Sequence, residues 1–154
     1  MVVELARRGY TAVDLDSDQF SEWVQVAGEL AQAAGSPVEA DRDWVWREDR
    51  VAALLASADA ELLFVSGCAA NMGKFLGQFD QIVLLSAPAG VTAERLRTRT
   101  SNVYGKQPDE VARVLSLKES VEPLLRRAAG HEIDTSAPLD AVVAQVLRLA
   151  QVAE

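Results

Sequence analysis

Two continuous apolar runs constrain the fold of this chain more than any other feature. Residues 62–66 have the sequence Leu-Leu-Phe-Val-Ser and end at Gly67, and residues 81–85 have the sequence Gln-Ile-Val-Leu-Leu and end at Ser86. An apolar run of this length between turn residues is typical of a strand buried on both faces of a parallel sheet. Shorter strands are predicted at residues 11–16 and at His131–Asp134.

Helical patterns lie between these strands. Residues 4–8 resemble the end of a helix closed by Gly9, and further helices are predicted over residues 46–58, 91–99, 108–120 and 138–152. Alternation of strands and helices predicts βαβ units, a mostly parallel sheet and the α/β class. We expect one domain over residues 1–154, with residues 28–43 as its most mobile stretch because they hold two glycines, a proline and several charges.

Net charge, hydropathy and cysteine content indicate which ligands and which cellular location to expect. The net charge of −8 argues against nucleic acid as a ligand. No apolar run approaches the roughly 20 residues of a membrane span, and the first residues do not resemble a secretory leader. The single cysteine, Cys68, cannot form an internal disulfide, so a cytoplasmic location is expected.

Ligands of parallel sheets bind at the carboxyl ends of the strands. Asp14 and Asp16 stand at the end of the first predicted strand, and alternate strand residues point to the same side. The two carboxylates can therefore complete a magnesium shell or accept hydrogen bonds from substrate hydroxyls. The alternative is a solvated acidic turn.

Residues 67–75 follow a buried strand but do not form a phosphate-binding loop. Five residues separate Gly67 from Gly73, where that loop needs four, and Phe75 occupies the position of its serine or threonine. We expect Gly67 to allow close approach of a ligand to the backbone. Cys68 is either a small buried side chain or part of a pocket.

Two groups of arginines are candidates for ligand contact. Arg95 and Arg99 are spaced to share a helix face and to neutralise a transferring phosphoryl group, unless they form a solvated face. Arg47 and Arg50 accompany two tryptophans that line a substrate pocket or belong to the core.

In order and spacing, these elements resemble the P-loop small-molecule kinases, which include adenylate, gluconate and shikimate kinases. The closest similarity is to the short bacterial AAA-type ATPases related to them. Residues 13–16 resemble the second strand of that family with its acidic pair, and residues 64–68 resemble the end of its third strand. Residues 46–50 are similar to its substrate-side helix, residues 95–110 to its lid, and residues 133–138 to the loop around adenine.

The resemblance implies a three-layer α/β/α fold with sheet order 2-3-1-4-5 and an enzyme that uses ATP and Mg²⁺ to phosphorylate a small metabolite or nucleotide, or to hydrolyse ATP. It implies catalytic roles for Arg99 and Arg95, with Asp14 and Asp16 at the metal or at the acceptor hydroxyl. The implied substrate-binding residues are Arg47, Arg50, Gly67 and Cys68. The implied adenine-binding residues are Asp134, Thr135, Ser136, Ala137 and Pro138.

One departure from the family is decisive for activity. The family's first, central strand and its Gly-x-x-x-x-Gly-Lys-Ser/Thr loop precede the point at which this sequence begins to match, so we expect a truncated start and no kinase turnover by the chain as written. Two other functions stay open. One is a nucleotide-binding module without catalysis, and the other is an interaction subunit that self-associates or accepts a partner strand through its open sheet.

Overall fold

The computed structural model describes residues 1–25, 42–57, 59–100 and 105–150, and it is mixed α/β. The chain divides into an N-terminal unit, Met1–Asp80, and a C-terminal unit, Gln81–Glu154. Most of the stretch predicted to be mobile (residues 28–41), part of the predicted lid (residues 101–104) and the end of the last predicted helix (residues 151–152) lie outside the described residues.

In the part of the N-terminal unit that the structure describes there are two helices and four strands. In chain order they are α1 (Val2–Arg7), β1 (Thr11–Asp14), β2 (Ser21–Gln25), β3 (Arg42–Trp46), α2 (Glu48–Ala56) and β4 (Leu63–Ser66). Two short 3₁₀ turns follow, Met72–Lys74 and Leu76–Gln78.

β1 and β4 form a parallel pair, in register from Thr11 opposite Leu63 to Asp14 opposite Ser66. The predicted helix end at Gly9 is confirmed, because α1 stops at Arg7 and Gly9 has a φ of 91°, a conformation that favours glycine. This turn leads directly into β1. Because β1 and β4 run parallel and in register, their carboxyl ends lie at the same edge of the pair.

An antiparallel hairpin, β2 with β3, was not predicted. Trp46, which the periodicity placed in a helix, is the last residue of β3 and lies opposite Ser21. The helix begins instead at Glu48, where two acidic side chains, Glu48 and Asp49, occupy the first turn and favour the positive helix end. The alternation of Trp44, Val45 and Trp46 suits a strand, and it overlaps the start of the helical pattern.

The core of the N-terminal unit lies between these elements. Its buried apolar residues are Leu15, Phe20, Trp46, Val51, Ala69 and Phe75. Leu15 and Val51 have no exposed surface, so the turn after β1 and the helix after β3 are both anchored in this core.

The described residues of the C-terminal unit form two strands and three helices. They are β5 (Val83–Ser86), α3 (Ala89–Thr98), α4 (Pro108–Ala128), β6 (His131–Asp134) and α5 (Leu139–Leu149). β5 and β6 are a parallel pair from Val83 opposite His131 to Ser86 opposite Asp134. The spacing of five apolar residues on α5 predicts burial, and four of them are buried: Val142, Val143, Val146 and Leu147. The fifth, Leu139, is 50% exposed.

Several predicted boundaries and one predicted burial differ from the structure. Helix α3 ends at Thr98 and excludes Arg99, whereas α4 continues past Ser120 to Ala128 with Pro123 inside it. The strands form three two-stranded sheets where one sheet was expected. β4 is half-buried along its length and Leu85 of β5 is 38% exposed, so neither strand is covered on both faces as predicted.

Across the described ranges, no helix combines the length and the apolar character that a membrane crossing requires.

Candidate functional site

The carboxyl ends of β1 and β4 bring together the acidic pair, Gly67 and Cys68. The backbone N–H of Asp16 donates to Asp14 Oδ1 at 3.0 Å, and the Ser17 hydroxyl donates to the Asp14 carbonyl at 2.9 Å. Asp14 therefore shapes the turn, as aspartates after strands often do. Both Asp16 carboxylate oxygens face the backbone N–H of Cys68, at 3.2 and 3.3 Å.

The surroundings of Asp16 disfavour its charged form. Although the residue keeps exposed surface, desolvation raises the pKa of its carboxyl group, and the negative charge of Asp14 adds to this effect. The Cys68 N–H opposes the rise in pKa, as do the indole groups of Trp46 and Trp44. Asp16 thus keeps exposed surface while its carboxyl group is partly desolvated and faces hydrogen-bond donors.

The raised pKa of Asp16 predicts a pH-dependent stability. The native state holds this proton more tightly than the unfolded chain, so the unfolding free energy should fall as the pH rises from 3.8 to the raised value. Asp16→Asn cannot titrate, so it should lose this pH dependence of the unfolding free energy while retaining an oxygen acceptor. In urea unfolding followed by tryptophan fluorescence, the variant should gain stability relative to the native chain across that window.

Asp18→Asn is the matched control, because Asp18 is an exposed carboxylate two residues away. Its stability difference from the native chain should stay flat over the same pH range. A native chain that instead gains stability over Asp16→Asn with rising pH would show that the native pKa of Asp16 is lowered.

Gly67 and Cys68 contact the acidic turn directly. A Cβ atom on Gly67 would lie 3.0 Å from Asp16 Oδ1, 3.1 Å from Leu15 Cβ and 3.2 Å from Trp46 Nε1. The groups nearest to Gly67 are therefore the protein's own, and glycine lets them close over the strand end. Cys68 is exposed, so the expectation of a small buried side chain is wrong. Partial desolvation, followed by the charge of Asp16, raises the pKa of the Cys68 thiol, which favours an unreactive thiol.

Asn71 was missed by the sequence analysis and holds Trp46 in place. Its Oδ1 accepts the Trp46 N–H at 2.8 Å, and its Nδ2 donates to the Trp46 carbonyl at 2.9 Å. The Ala70 N–H donates to the Trp44 carbonyl at 3.2 Å. These bonds cover the edge of β3 as a neighbouring strand would. An asparagine in a loop after a strand is the only sequence signal, since its amide can satisfy one donor and one acceptor.

Arg47 and Arg50 are held by the hairpin and its preceding loop. Arg47 Nη1 pairs with Glu22 at 2.8 Å, and Arg50 Nη1 donates to the Gln19 carbonyl at 2.7 Å. Through these contacts, both arginines stabilise the fold of the N-terminal unit.

In the C-terminal unit, Arg95 meets the loop after β6. Arg95 Nη1 donates to Thr135 Oγ1 at 2.7 Å, and its Nη2 donates to the Thr135 carbonyl. The Thr135 hydroxyl and N–H in turn donate to the Ser86 carbonyl at 2.9 and 2.8 Å. One arginine and one threonine thus tie the ends of β5 and β6 together.

The rest of that loop forms a second Asx turn. The Ser136 N–H donates to Asp134 Oδ1 at 2.8 Å, and bonds from Ser136 together with the charge of Arg95 lower the pKa of Asp134. Ala137 and Pro138 follow, and α5 begins at Leu139.

Arg99 is not beside Arg95 on a helix face, because it lies past the end of α3 with an extended backbone. Lys106 Nζ donates to the carbonyls of Leu96 at 3.0 Å and Arg97 at 2.8 Å, and also to that of Arg99. A lysine therefore closes this helix end, which suits the negative end of the dipole.

Metal-ligating groups are sparse. The described residues contain no group of three or more histidine, cysteine, aspartate or glutamate side chains that could hold a metal ion. Asp14 and Asp16 offer two carboxylates. Protein Mg²⁺ sites often use one or two carboxylates, and substrate phosphates and water complete the shell.

Comparison of the sequence with known families and curated proteins found no match. The chain matches no family model and no curated protein.

Proposed function

We propose that this chain is the acceptor-side and adenine-side portion of an ATP-dependent phosphotransferase related to the P-loop small-molecule kinases, with their three-layer α/β/α fold. The observation that carries the proposal is the pairing of its strands. β1 pairs in parallel with β4, and β5 pairs in parallel with β6. These pairs correspond to neighbours 2-3 and 4-5 in the kinase order 2-3-1-4-5.

The position of the polar residues supports the same proposal. Asp16, Gly67 and Cys68 follow β1 and β4, while Thr135 follows β6 and bonds to Ser86 at the end of β5. Ligands of α/β sheets bind at such strand ends. We assign Asp16, which faces the Cys68 N–H, to the acceptor hydroxyl and Asp14 to a hydrated Mg²⁺, which bound at that place would neutralise phosphate charge.

We assign Asp134–Pro138 to the adenine of ATP and Arg95 to positioning of that loop. Arg95 uses both Nη atoms on Thr135, which favours an anchoring role over a contact with the transferring phosphoryl group. The printed sequence has no Gly-x-x-x-x-Gly-Lys-Ser/Thr motif. Catalysis of phosphoryl transfer depends on that cradle and its lysine, so the chain by itself should bind nucleotide without turnover.

Calorimetry with ATP tests this assignment. Arg95→Ala should weaken ATP binding about tenfold, because charge-assisted bonds to Thr135 would be lost. Arg97→Ala is the matched control: Arg97 lies on the same helix, is exposed and pairs with Glu94 at 2.9 Å. ATP binding should survive this substitution.

Turnover is measured on the same samples by release of ADP. No turnover is expected from the purified 154-residue chain. Sustained phosphoryl transfer would refute the role given to the phosphate loop, and absence of ATP binding would refute the kinase relationship. ATP binding should be weak without the phosphate loop, so tight ATP binding by the native chain would favour the non-catalytic nucleotide-binding module instead.

A second candidate function is an interaction subunit that gains a strand. Among the residues that the structure describes, β5 has one hydrogen-bonded neighbour, β6, and its Leu85 is 38% exposed. An apolar strand with one paired edge is a template for strand addition. A stability against unfolding that increases with protein concentration would favour this candidate over the phosphotransferase.

A further inference from the structure

The peptide unit that precedes Asp16 is held at both ends by side chains. Its carbonyl belongs to Leu15 and accepts a hydrogen bond from the Ser21 hydroxyl at 2.5 Å. Its N–H belongs to Asp16 and donates to Asp14 Oδ1 at 3.0 Å. A peptide unit is planar, so bonds at its two ends fix its rotation. The point at which the Asp16 side chain leaves the backbone is fixed with it.

Ser21 is a rigid donor. It is 1% exposed and is the first residue of β2, opposite Trp46 on β3. Its N–H donates to the Ser17 carbonyl at 2.9 Å, and the residue before it, Phe20, is buried in the core. These contacts leave the Ser21 side chain little freedom, so the hairpin sets the place from which its hydroxyl reaches the Leu15 carbonyl.

Water cannot take the place of this hydroxyl. Leu15 has no exposed surface, and the bond from Ser21 to its carbonyl is buried. A buried carbonyl that loses its donor keeps the full cost of desolvation unless the backbone moves to another donor. Removal of the Ser21 hydroxyl should therefore turn the peptide unit between Leu15 and Asp16, and the Asp16 side chain with it.

A second serine provides an internal comparison. The Ser17 hydroxyl donates to the Asp14 carbonyl at 2.9 Å, one peptide unit earlier in the chain. That bond is exposed, so water can replace the hydroxyl at little cost. The two serines make the same kind of bond to neighbouring peptide units, and of the two bonds the one from Ser21 is out of reach of solvent.

The Asp16 carboxylate needs a fixed direction to serve the proposed function. It faces the Cys68 N–H at 3.2 and 3.3 Å, and the residue keeps exposed surface from which a ligand hydroxyl can approach. A group that orients a reacting hydroxyl must be held within about 0.5 Å of its productive position. The Cys68 contact holds the far end of the side chain, and the peptide unit after Leu15 holds its base.

We propose that Ser21 is the positioning residue for Asp16. Through the Leu15 carbonyl it holds the carboxylate in the direction that the acceptor hydroxyl requires, and it does so without touching the substrate. This inference rests on the proposed function, because that function assigns Asp16 to the acceptor hydroxyl. The β2–β3 hairpin, which supplies Ser21, thereby belongs to the site as well as to the core.

The amide proton of Cys68 reports on the direction of Asp16, because this N–H faces the carboxylate. Hydrogen bonds to a charged acceptor are stronger than neutral ones, so loss of this bond should move the amide proton resonance of Cys68 upfield. At neutral pH, Ser21→Ala should produce most of the upfield shift that Asp16→Ala produces. Ser17→Ala is the matched control and should leave the resonance near its native position.

A double variant shows whether Ser21 acts through Asp16. In a chain that already carries Asp16→Ala, Ser21→Ala should add no further shift of the Cys68 resonance, because the carboxylate that Ser21 directs is absent. A merely structural role of Ser21 would give the same shift in both backgrounds. Ser21→Thr restores a hydroxyl and is favoured on a strand, so it should return the resonance toward its native position.

Three results would overturn the proposal. They are a native Cys68 resonance in folded Ser21→Ala, equal shifts from Ser21→Ala with and without Asp16→Ala, and an equally large shift from Ser17→Ala. If Ser21→Ala does not fold, Ser21→Cys takes its place, because it has a similar size and a thiol that is only a weak donor. The same shift and the same non-additivity are expected from it.

Calorimetry with ATP on the same samples separates this inference from the proposed function. If the native chain binds ATP and Ser21→Ala keeps the native Cys68 resonance, the phosphotransferase proposal survives and the role of Ser21 is refuted. If the Cys68 resonance depends on Ser21 through Asp16 in a chain that does not bind ATP, the orienting role of Ser21 is supported and the phosphotransferase is refuted.

Discussion

Replacement of Leu15 by alanine is expected to remove about 2–5 kcal/mol from the unfolding free energy of the N-terminal unit. Leu15 has no exposed surface and lies in the core with Trp46 and Val51. The backbone on either side of it carries the candidate carboxylates Asp14 and Asp16. Because domains are stable by only about 5–15 kcal/mol, this single truncation should unfold a large fraction of the unit at moderate urea.

The measurement is urea unfolding followed by tryptophan fluorescence, which reports on the N-terminal unit because all three tryptophans lie there. Val3→Ala is the control, since Val3 is 83% exposed and its loss should change stability by at most about 0.5 kcal/mol. Equal midpoints for Leu15→Ala and Val3→Ala would contradict the placement of Leu15 in the core.

Two strands and one contact at a strand end show what could be predicted from the sequence. Residues 62–66 were identified as a strand because a continuous apolar run between turn residues leaves few other options, and the strand predicted at His131–Asp134 is also confirmed. The acidic pair and Gly67 were expected to meet because parallel strands end at one edge, and the Asp16 carboxylate does contact the Cys68 N–H. Periodicity and strand direction are local rules, and they were sufficient for these features.

The β2–β3 hairpin shows where those rules were insufficient. Ser21–Gln25 mixes polar residues with Trp23 and Val24 and has no continuous apolar run, and its strand pairs with Arg42–Trp46. That pairing depends on contacts about 20 residues apart along the chain, and a local pattern does not contain them. Trp46 was assigned to a helix because the residues from Glu48 onward are helical, and the local pattern does not show that Trp46 pairs with Ser21.

The candidate site was predictable in its residue types and less so in its contacts. Arg95 was expected at a phosphoryl group, and it bonds instead to Thr135. Arg99 was expected on the same helix face, and the helix ends one residue before it. Side-chain partners depend on where a helix ends and on which loop it meets, and neither is fixed by spacing. The catalytic roles of both arginines stay predictions.

Asn71→Ala is expected to cost about 2–4 kcal/mol of unfolding free energy, because it leaves both the N–H and the carbonyl of Trp46 unpaired in a partly buried position. Trp46 lies in the core and packs against Phe75, so freeing its backbone should also change the surroundings of its indole ring. We expect a lower urea midpoint together with an altered native tryptophan emission. A change in the native spectrum is informative, because a general loss of stability would move only the midpoint.

Asn71→Asp separates the two bonds. It keeps an oxygen that accepts the Trp46 N–H at the present 2.8 Å contact, loses the donor to the Trp46 carbonyl, and places a charge near Glu48. Its stability should therefore lie between those of the native chain and Asn71→Ala at acid pH, where the new carboxyl group can protonate and donate. If Asn71→Ala unfolds at the native midpoint with a native emission spectrum, the side-chain amide does not hold Trp46, and the edge of β3 depends on the Ala70 backbone bond alone.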